Sequence, residues 1–193
     1  MASNLHVKKT LLDEHQMRRA VRRMAGELLE RNRGVAGLML VGIRTRGVPL
    51  AERLAAEIER MEGTRVPMGV LDITLYRDDL STIGPQPVVR ETVFAAPVEN
   101  HLLVLCDDVL YTGRTVRAAL DALVDYGRPR AVQLAVLVDR GWRELPIQAD
   151  FVGMSLRTTA SEVVKVSFAE TDGGEESVLL LDRAVPAEQG GGG

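Results

Sequence analysis

Short apolar blocks alternate along the chain with stretches of helical periodicity. Leu38 to Ile43 (LMLVGI), Val66 to Leu75, Leu102 to Cys106 and Ala131 to Val138 are apolar runs of strand length. Continuous apolar runs of this kind fit strands covered on both faces. Between them, Met17, Val21, Met24 and Leu28 recur at helical spacing behind Asp13 and Gln16, a capping-box pair. Gly34 is placed to stop that helix. Pro49 suits the first turn of a second helix reaching about Met61. Thr115 to Tyr126 reads as a third, with Gly127 just past its end and Pro129 beyond. Shorter strands are predicted within Asp150 to Val166 and over Val178 to Leu181. Tyr76 to Thr92 is polar and rich in turn formers, so it reads as a loop or flexible hairpin. PAEQGGGG reads as a disordered tail over 186–193, which leaves one domain over 1–185.

Strands alternating with helices predict an α/β fold with a mainly parallel sheet. In such sheets ligands bind outside the carboxyl ends of the strands. Three apolar runs lead straight into polar residues: LMLVGI into RTRG, LLVLC into DDVLYTGRT, and AVQLAVLV into DRG. Parallel strands would bring these three loops to one edge. Charge and composition narrow the picture further. The net charge is −3, so any nucleic-acid contact must be a local patch. The one cysteine, Cys106, lies inside an apolar run. It reads as a buried, inert thiol, and no disulfide within the chain is possible. The first residues lack the apolar core of a signal peptide, and no run is long enough to span a membrane, so the expected location is the cytoplasm.

Thr112, Gly113, Arg114 and Thr115 sit where a strand-following loop opens a helix. The first turn of a helix offers unpaired N–H groups and the positive end of its dipole. Gly113 lets an anion approach the backbone, and the two threonines add hydroxyls, so the turn is a phosphate cradle by mechanism. It is neither GxxxxGK[ST] nor GxGxxG. Asp107 and Asp108 would repel a phosphate, but they suit the hydroxyls of the sugar that carries it. They also suit a Mg²⁺ ion held by substrate oxygens, with no direct protein metal site required. A ribose 5-phosphate with free 2- and 3-hydroxyls meets all of these demands.

DDVLYTGRT behind four apolar residues resembles the phosphoribosyl pyrophosphate (PRPP) motif of type I phosphoribosyltransferases. VGIRTRG, DITLYRDDL, DALVDYGRP and QLAVLVDRGWRELPI further resemble one subfamily, the bifunctional pyrimidine operon regulators (PyrR), from about Asp13 to Val166. The resemblance implies a central mainly parallel sheet flanked by helices, with a small hood and a flexible lid loop. It implies transfer of ribose phosphate from PRPP to uracil, giving UMP and pyrophosphate, with Mg²⁺ bound alongside PRPP. It implies that Asp107, Asp108 and Arg46 carry the catalysis. Val109, Leu110, Tyr111, Thr112, Gly113, Arg114 and Thr115 would wrap the phosphate. Arg44, Thr45 and Arg46 would form a pyrophosphate loop, which in this family often holds a non-proline cis peptide. Tyr76 to Gln86, with Arg77 and Asp78, would be the lid. Asp139, Arg140 and Val163 would lie near the base.

The subfamily also binds a stem-loop of pyrimidine operon leader mRNA, promoted by UMP, and commonly forms dimers or larger assemblies. Arg18, Arg19, Arg22 and Arg23 crowd one stretch of the first helix, and Arg143 could add to such a patch. A solvated face, or partners for acidic residues of another subunit, reads the same arginines equally well. The subfamily usually has His at the positions of Trp142 and Gly26, Arg at Gln148 and Lys at Met154. These departures fall on residues expected to face RNA. Three alternatives stay open: a transferase for another base such as hypoxanthine or orotate, an RNA regulator that turns over little, and a phospho-acceptor receiver domain. TGRT after the acidic pair argues against the last.

Overall fold

The computed structural model describes residues 5–78 and 88–183. The predicted tail over 186–193 and the lid beyond Asp78 lie outside these residues. Among the described residues nine strands run in chain order: β1 (Leu5–Asp13), β2 (Leu38–Ile43), β3 (Met68–Leu71), β4 (Val93–Phe94), β5 (Leu102–Leu110), β6 (Ala131–Asp139), β7 (Phe151–Ser155), β8 (Glu162–Ser167) and β9 (Ser177–Arg183). Four helices join them: α1 (Glu14–Asn32), α2 (Gly47–Glu62), α3 (Arg114–Leu123) and the single turn α4 (Ala169–Asp172).

The main sheet has the order β4-β3-β2-β5-β6-β7, parallel throughout except for the edge strand β4. From β2 the chain moves outward to β3, then returns to β5 and moves the other way to β6 and β7. The reversal puts a crevice between the carboxyl ends of β2 and β5. β2 shows why its sequence reads as unbroken apolar residues. Leu38 and Leu40 face α1 and α2, whereas Met39, Val41 and Ile43 face the layer that holds α3. A strand buried on both sides needs an apolar residue at every position.

The capping box forms at the start of α1. Gln16 N–H donates to Asp13 Oδ1 at 2.7 Å, and Asp13 N–H donates back to Gln16 Oε1 at 2.9 Å. At the other end Arg33 adopts φ 57°, and Gly34 N–H donates to the Leu29 carbonyl, closing the helix where predicted. Three expectations are corrected. The run from Val66 yields a strand over Met68–Leu71 only. Asp72 ends it by accepting hydrogen bonds from the Thr74 N–H (2.8 Å) and hydroxyl (2.5 Å), an Asx turn that leads into one turn of 3₁₀ helix. The strand expected to stop at Cys106 continues to Leu110, because β6 pairs with it as far as Asp139. The acidic pair therefore belongs to the strand itself. Finally, β1 had no counterpart in the sequence pattern. Most of its side chains are exposed, so no alternation marks it, yet it pairs antiparallel with β9. Together β1, β9 and β8 form a small second sheet, the hood.

The hood is tied to α2 by Arg53, which pairs with Glu170 (2.7 Å) and Glu176 and stacks over the Phe168 ring at 4.9 Å. At the crevice, α2 begins so close to β5 that a Cβ on Gly47 would lie 2.1 Å from the Cys106 carbonyl oxygen. That obstacle is backbone and cannot turn aside. Gly47→Ala should destabilise the chain by about 1–3 kcal/mol or more, seen as a drop in Tm of roughly 5–10 °C by calorimetry. An unchanged Tm would mean that α2 does not pack this tightly on the acidic strand.

Candidate active site

The crevice gathers the three loops. β5 delivers Asp107, buried at 7% exposure, and Asp108, half-buried beside it. Asp107 Oδ1 accepts the Asp108 N–H at 3.0 Å, and Asp108 Oδ1 accepts the Val109 N–H at 2.9 Å. Burial pushes both above the ordinary carboxylate range, and the neighbouring Asp108 charge raises Asp107 furthest. Arg46 and Arg77 act in the opposite direction, on Asp108 and Asp107 respectively. Cys106, fully buried behind them, has its thiol pushed up by desolvation, which matches the inert role expected of it.

β2 delivers Arg44, Thr45 and Arg46, and the peptide between Arg44 and Thr45 is cis. Arg46 forms a two-pronged pair with Asp172 of the hood, Nη2 to Oδ1 at 2.6 Å and Nε to Oδ2 at 3.2 Å. The guanidinium holds Asp172 well below the usual carboxylate range. Arg44 donates to the Glu91 carbonyl at 3.2 Å. Arg44, Thr45, Arg77 and Arg90 line a hollow of about 210 Å³ beside the loop, with Asp72 at its base. Asp72 accepts the Arg90 N–H and stays below the usual carboxylate range, because its hydrogen bonds to Thr74 and Arg90 outweigh its burial.

The turn after β5 opens α3 as expected. Gly113 stands at φ 93° in the capping position, where a side chain would be strained. The first backbone donor committed inside the helix is Arg117 N–H, to the Gly113 carbonyl at 2.9 Å, so the N–H groups before it face the crevice mouth. The Thr112 hydroxyl accepts the Arg114 N–H at 3.4 Å. The Arg114 side chain leaves the turn and pairs with Asp78 and Glu144, both at 2.7 Å. It thereby joins Asp78 and Glu144 to the turn at Thr112–Thr115.

β6 ends in Asp139 and Arg140. Arg140, 6% exposed, is spent on the hood side: it donates to the Thr158 hydroxyl (3.1 Å) and the Glu162 carbonyl (2.8 Å) and lies 4.1 Å from the Tyr111 ring. Asp139 accepts from Gly141 N–H and from Arg143. Val163 is half-buried in β8, paired with Leu181. Trp142 is 51% exposed and anchored through its indole N–H to the Thr158 carbonyl at 2.7 Å. On α1 the four arginines are exposed, and three of them pair within the chain: Arg18 with Glu14, Arg22 with Glu57 and Arg23 with Glu27. Arg143 differs from them, because its guanidinium points inward to Asp139 and backbone carbonyls rather than out to solvent.

A family model for the phosphoribosyl transferase domain matches residues 8–171. The chain belongs to the phosphoribosyl transferase family. It is 59% identical over 175 residues to a bifunctional protein PyrR of Deinococcus deserti, covering 91% of this chain and 95% of that one. It is 59% identical over 179 residues to its counterpart in Thermus thermophilus, covering 93% and 98%. Among solved structures it resembles the hypoxanthine phosphoribosyltransferase of Trypanosoma cruzi, with a TM-score of 0.69 at 17% identity over 92% of this chain and 98% of that one. A hypoxanthine phosphoribosyltransferase of Staphylococcus aureus gives 0.66 at 19%, covering 93% and 94%. These structural likenesses carry the fold.

Two members of the site escaped the sequence reading. Asp172 lies in a polar segment with nothing local to mark it, and only the return of the hood brings it to Arg46. Asp72 had a visible signal, an acid at the end of an apolar run followed by threonine, but no role was attached to it. The buried pair itself yields a pH test. An acid raised in the folded state keeps its proton while the unfolded chain releases it, so the pair lowers stability as pH rises from about 4. Ligand-free Asp107→Asn should therefore melt roughly a few degrees above the wild type at pH 8, with the gap closing near pH 4. A variant that melts lower at pH 8 would show that the pair is not held against its preferred ionisation.

Proposed function

We infer that this protein is a uracil phosphoribosyltransferase, forming UMP and pyrophosphate from uracil and PRPP, and that it also regulates pyrimidine operon expression through UMP-dependent binding of leader mRNA. One observation carries the enzymatic reading: a buried acid pair, an arginine loop and a helix-opening glycine turn meet at the one point where strand order reverses. PRPP has a part to match each. The turn at Thr112–Thr115 takes the 5-phosphate on its N–H groups and hydroxyls. Asp107 and Asp108 accept hydrogen bonds from the ribose hydroxyls. Arg44, Thr45 and Arg46 take the pyrophosphate, with Arg46 exchanging Asp172 for phosphate oxygens.

No side-chain nucleophile is required. The bond from ribose C1 to pyrophosphate breaks, the pyrophosphate leaving with the electron pair; positive charge builds on the ring, and N1 of uracil closes on C1 as its N1–H proton is given up to water or the departing pyrophosphate. Asp107 and Asp108 hold the ring in place and favour that charge, while Arg46 and Arg77 stabilise the leaving group. The acid pair also fits Mg²⁺. Among the described residues no cluster of three or more His, Cys, Asp or Glu converges on one point, and Mg²⁺ typically keeps water and substrate phosphates among its ligands beside one or two carboxylates. When bound with PRPP it neutralises pyrophosphate charge. Asp139, Arg140 and Val163 flank the place left for the base between β6 and the hood. The near-full-length PyrR relatives support uracil as that base.

The regulatory half rests on the exposed face of α1, where His15, Arg18, Arg19, Arg22 and Arg60, with Glu57 among them, surround a hollow of about 320 Å³. That surface suits RNA phosphates. Exposed Leu120 on α3, with Val124 and Tyr126 just beyond it, supports assembly into a homo-oligomer. Uracil, hypoxanthine and orotate should be offered separately with PRPP and Mg²⁺, and only uracil should turn over. Asp107→Asn with Asp108→Asn should lower kcat by about a hundredfold or more. A gel shift with the organism's own pyrimidine leader RNA should tighten when UMP is added. Turnover that survives the double substitution would remove the acid pair from the mechanism.

A further inference from the structure

A turn that aims its N–H groups at a ligand must point its carbonyls the other way, and buried carbonyls need donors. Behind the turn at Thr112–Thr115 those donors come from one segment, residues 140–147. Glu144 and Leu145 N–H groups donate to the Thr112 carbonyl at 3.0 and 3.2 Å, and Arg140 N–H donates to the Leu110 carbonyl at 3.1 Å. Arg143 supplies the rest. Its Nη1 donates to the carbonyls of Tyr111 (2.8 Å), Gly141 (3.1 Å) and Leu110 (3.4 Å). Its Nε donates to the Ile147 carbonyl at 3.0 Å, and its Nη2 to Asp139 Oδ2 at 2.5 Å. A single planar group thus joins the end of β5, the end of β6 and the strap beyond. Ile147 and Leu145 close the back of the turn, 3.4 and 3.5 Å from where a Cβ on Gly113 would stand.

We propose that Arg143 is a positioning residue for the phosphate turn: it holds the Leu110 and Tyr111 carbonyls backward so that the following N–H groups face the 5-phosphate. The inference rests on the reading of Thr112–Thr115 as the phosphate site. Arginine is suited to this place because only a five-donor fork reaches all three loops at once, and a cation at the carbonyl end of the peptides strengthens their N–H ends through the same dipoles. Lysine would keep the charge beside Asp139 but reach fewer carbonyls.

Trp142, the one tryptophan of the chain, adjoins Arg143 and provides a fluorescence signal for binding. UMP and uridine are titrated into the wild type, Arg143→Gln and Arg143→Lys, and the KM for PRPP and kcat are measured for each, with Tm as the record of folding. The wild type should bind UMP more tightly than uridine. Arg143→Gln should weaken UMP by about tenfold or more while leaving uridine within about twofold, and raise the KM for PRPP more than it lowers kcat. Arg143→Lys should fall between the two proteins. If the wild type binds UMP and uridine equally, the phosphate reading itself fails. If the wild type prefers UMP and both folded variants keep that preference, Arg143 does not position the turn. Equal weakening of both ligands also overturns the proposal, since that is the mark of a general structural role. If Arg143→Gln does not fold, Arg143→Lys decides alone by the same ratio.

Discussion

Two adjacent carboxylates, Asp107 buried and Asp108 half-buried beside it, are the constraint the crevice is built around. The covalent path of β5 keeps them adjacent. Burial favours the protonated form of both, and the Asp108 charge adds to that on Asp107. Such a pair persists only because the surrounding structure imposes it. β5 runs two residues past the acids, held by β6 as far as Asp139, and α2 presses against the strand at Gly47, where no side chain could be accommodated. On the function proposed above, a ligand bringing hydroxyl donors and cationic character to the same spot would relieve that cost, and more so as charge builds on its ring, which is the kind of difference catalysis uses.

The cations around the pair are placed with the same economy. Arg46 does not reach the acids directly; it is parked on Asp172, one turn of the hood away. Arg114 leaves its own turn for Asp78 and Glu144. Arg46 and Arg114 therefore each have an acidic partner that another anion could replace. Because the hood is locked to α2 through Arg53, Asp172 is held by a rigid element, and Arg46 starts from a defined position. The arginines of α1 follow a different rule. They are exposed, and three of them meet acids of their own chain, in pairs that are weak in water and easily exchanged for other anions.

Backbone polarity links the two ends of the phosphate turn. N–H groups presented forward leave carbonyls behind, and residues 140–147 answer them. That segment carries Trp142 on its outer side and Arg143 on its inner side, so the sequence DRGWREL has one residue facing solvent and the next facing the turn. Trp142 and Arg143 are neighbours in the chain, but one touches the hood loop and the other touches the phosphate turn.

Local pattern alone located the parallel strands of the main sheet, though not the edge strand β4, together with the helices between them and the three loops at their carboxyl ends. Buried parallel strands must be apolar throughout, and helix starts need caps, so Leu38–Ile43 and Asp13 with Gln16 announce themselves. The acidic pair and the glycine turn were legible for the same reason: they are contiguous, and their chemistry depends on neighbours in sequence. What lay beyond reach depended on partners distant along the chain. β1 has few buried side chains and is a strand only because β9 lies beside it. Asp172 is 126 residues from the arginine it holds. Arg143 looked like one more surface cation, and its inward turn is set by carbonyls of a loop more than thirty residues earlier. Which way a long polar side chain points is decided by whichever unsatisfied groups the fold brings within its reach, and only the assembled tertiary structure specifies those.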